Sequence, residues 1–115
     1  MTLCTIDYKE KVEDGKKYER TEFTLGKHYR VIRNVTWFED GTNYKRFWVS
    51  ASYEDMRDNY IPEIHYFDGH LDSDKPEFKV QTSAYGAMGT EDIKKIIAGY
   101  QEAIEAVAIL NKNFC

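Results

Sequence analysis

The residues with the greatest chemical capacity lie in one short stretch of the second half of the chain. They are His65, Asp68, His70, Asp72 and Asp74. Imidazole and carboxylate groups are metal ligands, but the twelve-residue calcium loop with its central glycine and final glutamate is missing. His65 and His70 also lack the i, i+4 spacing of the helical zinc motif. The stretch therefore indicates a solvated acidic loop, and we expect neither a metal nor another cofactor.

The nucleophilic side chains stand outside any catalytic pattern. Ser50, Ser52 and Ser83 lack the glycine-flanked turn of a nucleophile elbow. Cys4 has no neighbouring histidine that could activate its thiol. A glycine-rich phosphate loop is missing as well. We therefore expect a protein that is not an enzyme.

Charge is distributed unevenly along the chain. Residues 1–50 carry ten Lys/Arg against eight Asp/Glu, whereas residues 51–77 carry two against eight. The net charge of −4 disfavours contact with phosphate backbones, so we expect no direct nucleic-acid contact. An acidic segment is suited to pairing with Lys and Arg of a protein partner. The candidate acidic contacts are Glu54, Asp55, Asp58, Asp68, Asp72, Asp74 and Glu77.

Aromatic side chains provide a second kind of candidate contact. Alternation along one predicted strand places Trp48 and Tyr44 on the face opposite to its apolar residues. A solvent-exposed Trp beside Arg30 or Arg46 suits the centre of a binding surface, and the same position equally suits a Trp that packs under a loop. One alternative is a nucleic-acid module in which Lys27, Arg30 and Arg33 form a basic stripe beside these aromatics. Another is a homo-oligomeric accessory protein whose outer aromatic face pairs with itself.

Apolar residues alternate with period two through most of the first 84 residues, which predicts strands. The predicted strands are residues 1–8, 18–25, 27–38, 44–53, 60–67 and 77–84, and the charged residues 9–17 form a connection with an Asp14-Gly15 turn. In the first strand, Leu3 and Thr5 face one side while Cys4, Ile6 and Tyr8 face the other. Tyr29, Val31, Val35 and Trp37 share one face, and Phe47, Val49 and Ala51 share another.

The last quarter of the chain changes to the helical period. Apolar residues recur every three or four positions between Thr90 and Phe114, with Thr90 as N-cap. The predicted buried stripe is Ile93, Ile96, Ile97, Tyr100, Ile104, Val107 and Phe114. Gly99 in mid-helix permits a close approach of another backbone.

These elements predict the α+β class: one antiparallel sheet of about five or six strands, with one long C-terminal helix packed on one face. The 115 residues correspond to one domain, 1–115. No apolar run reaches the length of a membrane span. Cys4 and Cys115 are expected to be free thiols in a reducing compartment, which together with the lack of a signal peptide predicts a cytoplasmic protein.

Three segments of the C-terminal third are similar to small orphan proteins of bacteriophages and mobile elements. They are residues 80–86 (VQTSAYG), 90–93 (TEDI) and 99–107 (GYQEAIEAV). In those proteins a final strand runs through a Thr-Ser step into a long helix, and some are anti-CRISPR inhibitors that bind a Cas nuclease. The resemblance implies a non-enzymatic inhibitor of a larger host protein or nucleoprotein complex, such as a Cas effector. No functional residue is carried over from it.

Overall fold

The computed structural model describes residues 1–51, 60–69 and 75–115. Its elements in chain order are β1 (Leu3–Glu13), β2 (Lys16–Leu25), β3 (Tyr29–Trp37), β4 (Asn43–Ala51), β5 (Ile64–Phe67), β6 (Glu77–Val80) and α1 (Thr90–Phe114). The α+β class is confirmed, with antiparallel strands and a long C-terminal helix.

The described strands form two sheets rather than the single sheet expected. The larger is an antiparallel meander in the order β1-β2-β3-β4, and the smaller is the β5-β6 hairpin. The predicted strand 60–67 is shorter because its first half packs elsewhere. Tyr29 donates a hydrogen bond of 2.6 Å to the carbonyl of Pro62, and the Tyr60 carbonyl lies against Gly99 of α1. The backbone before Ile64 thus serves the core instead of extending the sheet.

The first hairpin is longer than its sequence suggests. Residues 9–13 and 16–17, predicted as part of a charged connection, belong to β1 and β2. The Asp14-Gly15 turn is confirmed, with φ of 52° and 75°, the left-handed values of a tight hairpin turn. Charged residues are tolerated in this part of β1 because residues 9–13 are exposed on both faces of the strand.

One face of the four-stranded sheet packs on α1, and the packed residues form the core. It combines Phe23 and Leu25 of β2 with Tyr29 and Val31 of β3, and Ala51 of β4 joins them. The smaller sheet and the helix complete it with Ile64, Phe78, Ala103, Ala106 and Leu110. Phe47 links the two sheets through ring contacts of 4.7 Å with Tyr66 and 5.2 Å with Phe78. This is the face predicted for Tyr29, Val31, Phe47 and Val49.

The helix buries only part of the predicted stripe, in which Val107 and Phe114 do pack against the core. Ile93, Ile97 and Ile104 are 44%, 52% and 64% exposed, so placing them against the sheet was wrong. The fully buried positions are Gly99, Ala103, Ala106 and Leu110. Small side chains let the helix axis lie close to the layer beneath, which turns the larger isoleucines outward. The helix begins at Thr90 with Gly89 as its N-cap, so the Thr90 cap was also misplaced.

Candidate binding surface

The sheet has a second face, turned away from α1, which we call the outer face. Cross-strand register places Trp48 opposite Ile32 and Tyr44 opposite Thr36 on this face. The side chains of Val49 and Phe47 point the other way, because neighbouring residues in a strand alternate between faces. Trp48 is 72% exposed and Tyr44 is 41% exposed. The predicted outward orientation of both aromatics is therefore confirmed.

The basic stripe of the nucleic-acid alternative is divided between different environments. Arg33 faces the core, where its guanidinium lies 5.4 Å from the Phe23 ring centroid and 5.3 Å from that of Phe114. Lys27 lies in the turn before β3, and only Arg30 stays on the outer face. The three side chains are not one surface, because the odd-numbered Arg33 shares a face with Val31 and Val35.

A different basic row crosses the outer face. The register aligns Lys9 with Arg20, Arg20 with Asn34, and Asn34 with Arg46, one residue from each strand. The row on one side of it contains Tyr18 and Tyr44, and the row on the other side contains Trp48. A shallow groove of about 610 Å³ is lined by Lys9, Arg20, Asn34 and Arg46 together with Tyr18.

The strand positions of the outer face carry a net positive charge although the chain is acidic. Six basic and three acidic side chains share this face, which gives +3, against −4 for the whole chain. They are Lys9, Lys11, Lys16, Arg20, Arg30 and Arg46, with Asp7, Glu13 and Glu22. All other side chains together therefore carry −7. The fold has separated charges that are mixed in sequence.

Sequence reasoning missed Lys9 and Arg20 as candidate binding residues, and it placed Arg46 beside Trp48 without naming it as a contact. Lys9 lies in residues 9–17, which the sequence predicts as a charged connection, so alternation gives it no face. The available signal was the alternation of Lys9 and Lys11, and of Tyr18 and Arg20, at spacing two. Only the strand register shows that residues from all four strands meet in one row.

The predicted acidic contacts are placed only in part. Asp68 and Glu77 lie together at one end of the smaller sheet, where Phe67 pairs with Glu77 and Asp68 follows directly. Both are exposed, and Glu77 forms an ion pair of 3.4 Å with Lys79. Five further predicted contacts lie outside the described residues: Glu54, Asp55, Asp58, Asp72 and Asp74.

The histidine-rich stretch shows ordinary surface contacts where it is described. His65 Nε2 lies 3.2 Å from Glu63 Oε2 on the exposed side of β5. No group of three potential metal ligands occurs within residues 1–51, 60–69 and 75–115. His70 lies outside these ranges together with the two aspartates that follow it. Cys4 and Cys115 are free thiols, both exposed.

Comparison of the chain with protein-family models, with curated proteins and with solved structures finds no match. The functional hypothesis therefore depends on the outer face of the sheet. In the part of the chain that the structure describes, no helix has both the length and the apolar character to cross a membrane.

Proposed function

We propose that this chain is a non-enzymatic binding protein of the inhibitor type, whose outer face contacts a larger host protein or nucleoprotein complex. A Cas effector is the partner that the resemblance to phage proteins suggests. Binding there would cover a surface that the partner needs for its own activity. The acidic residues Asp68 and Glu77 would form a second contact with basic side chains of the same partner.

The observation that carries this proposal is the exposure of Trp48 on a charged sheet face. A side chain of this size that is 72% exposed leaves a large apolar area in water, and its burial against a partner is favourable by about 25 cal/mol per Å². Trp and Arg are the residue types that most often dominate binding energy. Arg46 lies two residues from Trp48 in the same strand and on the same face.

The test compares two tryptophan variants in a binding assay with the purified partner. Trp48→Ala is expected to weaken binding by about 2 kcal/mol or more, the usual loss at a dominant contact. Trp37→Ala is the matched control. Trp37 lies on the other face of the sheet, the one that packs on α1, and is only 36% exposed. The partner is first captured from lysates of bacteria that carry CRISPR effectors, and affinity is then measured by calorimetry.

The assay has clear opposing outcomes. Loss of affinity in Trp48→Ala alone, with both variants folded by circular dichroism, supports the outer face as the contact. Equal affinity of Trp48→Ala and the wild type would remove this face from consideration. Reversal of Asp68, Asp72 and Asp74 to Lys tests the second contact, and we expect weaker binding without unfolding.

A further inference from the structure

The spacing of basic and aromatic side chains on the outer face suits a single-stranded polyanion. Neighbouring strands lie about 4.8 Å apart, so the row from Lys9 to Arg46 extends roughly 14 Å across the sheet. Successive residues on one face of a strand are about 6.7 Å apart. Trp48 and Tyr44 therefore lie one such step to either side of Arg46, within the distance that separates a phosphate from its own base.

The two arginines of the row are available for a ligand. The acidic side chains of the outer face already have partners, since Asp7 lies 4.0 Å from Lys9, Glu13 lies 2.6 Å from Lys11 and Glu22 lies 3.7 Å from Arg30. Arg20 and Arg46 form no ion pair with any described residue. Their guanidinium groups present planar forks that match phosphate oxygens in a bidentate manner.

We propose that the outer face binds single-stranded nucleic acid, with phosphates along the Lys9–Arg20–Arg46 row and an unpaired base stacked on Trp48. This deepens the proposed function and rests on it, because it names the chemistry of the partner at the same face. The negative net charge of the chain does not oppose the contact locally, since the face itself carries +3. The remaining −7 would orient the protein with this face toward a polyanion.

The exposed indole ring of Trp48 favours single strands over duplexes. A base can stack on an exposed indole ring only when its own faces are free, and in a duplex they are occupied by neighbouring bases. A duplex would engage the cations but would offer no free base face to Trp48. An acidic protein surface would engage the cations also, and it is a separate outcome of the test.

The experiment measures fluorescence anisotropy of a labelled oligouridylate, an oligothymidylate of equal length and a duplex at about 50 mM and 200 mM salt. Trp48→Ala is expected to weaken single-strand binding by roughly 5- to 150-fold, the range for loss of one stacked base. The pair Arg20→Gln/Arg46→Gln is expected to reduce the salt slope by about 1.4, since each phosphate contact to a single strand contributes about 0.7. The matched control is Lys94→Gln/Lys112→Gln, which changes net charge equally on α1.

Salt-dependent single-strand binding that is reduced by Trp48→Ala and by the arginine pair, but not by the lysine pair, supports the proposal. Equal losses in both charge variants would overturn it, because net charge alone would then explain binding. Equal affinity for the duplex would also overturn it. No binding of any oligonucleotide, while capture of a protein partner still depends on Trp48, would refute the nucleic-acid ligand and leave the proposed function standing.

Discussion

Gly99 offers the sharpest test of how the helix is packed. It is buried in the middle of α1, and the backbone carbonyl of Tyr60 occupies the space where a β-carbon would lie. A β-carbon built on Gly99 would also be 2.8 Å from the Tyr60 carbonyl carbon and 3.5 Å from Pro62 Cδ. The obstacle is backbone, which cannot rotate away as a flexible side chain would.

Two opposing terms decide the effect of Gly99→Ala. Helix propensity alone favours Ala over Gly by about 1 kcal/mol in a helix interior. Overpacking a core costs typically about 1–3 kcal/mol and occasionally more. The clash is with the Tyr60 carbonyl, and two residues further on the Pro62 carbonyl accepts the hydrogen bond from Tyr29. Because this segment is held at both points, we take the upper end of the overpacking range. The expected net result is destabilisation by about 2 kcal/mol.

Urea unfolding followed by far-UV circular dichroism measures this difference directly. The control is Ala108→Gly, an exposed position on the same helix, which should lose about 1 kcal/mol from propensity alone. The two changes run in opposite chemical directions, yet both are expected to destabilise. A Gly99→Ala variant as stable as the wild type, or more stable, would show that the segment around Tyr60 does not rest on the helix.

Two further predictions concern hydrogen bonds in and beside the core. Burial, with a smaller contribution from a nearby glutamate, raises the pKa of Tyr29 well above its ordinary value of 10.0. The unfolded chain therefore ionises first, and stability present below pH 10 is lost as the pH rises above it, by about 1.4 kcal/mol per unit. Urea unfolding between pH 8 and 11 should show that Tyr29→Phe lacks this part of the alkaline loss, and identical slopes would contradict the assignment. Asn111 accepts a hydrogen bond of 2.8 Å from the Phe78 N–H and donates one of 3.4 Å to its carbonyl. In thermal unfolding, Asn111→Ala should cost roughly 1–3 kcal/mol by leaving these backbone groups unpaired, whereas Asn113→Ala, at an exposed site, should cost little.

The alternation of β3 and β4 was sufficient to predict both faces of those strands. Val31 and Phe47 point toward the helix and Trp48 points away, as a period of two requires. The long helix was equally clear from its period. Its buried side was wrong at Ile93, Ile97 and Ile104, because hydrophobicity ranks Ile above Ala, whereas close packing against the backbone near Gly99 selects the smaller residues.

The β1 strand shows where alternation fails. The register shifts between Thr5 and Asp7, so Tyr8 pairs with Thr21 and shares a face with Leu3 and Thr5. The sequence predicted the opposite side for Tyr8. A bulge adds one residue to one strand and reverses the phase of every residue beyond it, and neither Ile6 nor its neighbours carry a glycine or proline signal for it.

The amino-acid sequence by itself determined the α+β class, the period of each long element and the outward position of Trp48, because these depend on local repeats. It could not determine the basic row of the outer face, since Lys9, Arg20 and Arg46 lie far apart in the chain and meet only through strand register. Register is a property of paired strands. The sequence thus placed Trp48 on the proposed binding surface, whereas tertiary structure alone assembled the basic row beside it.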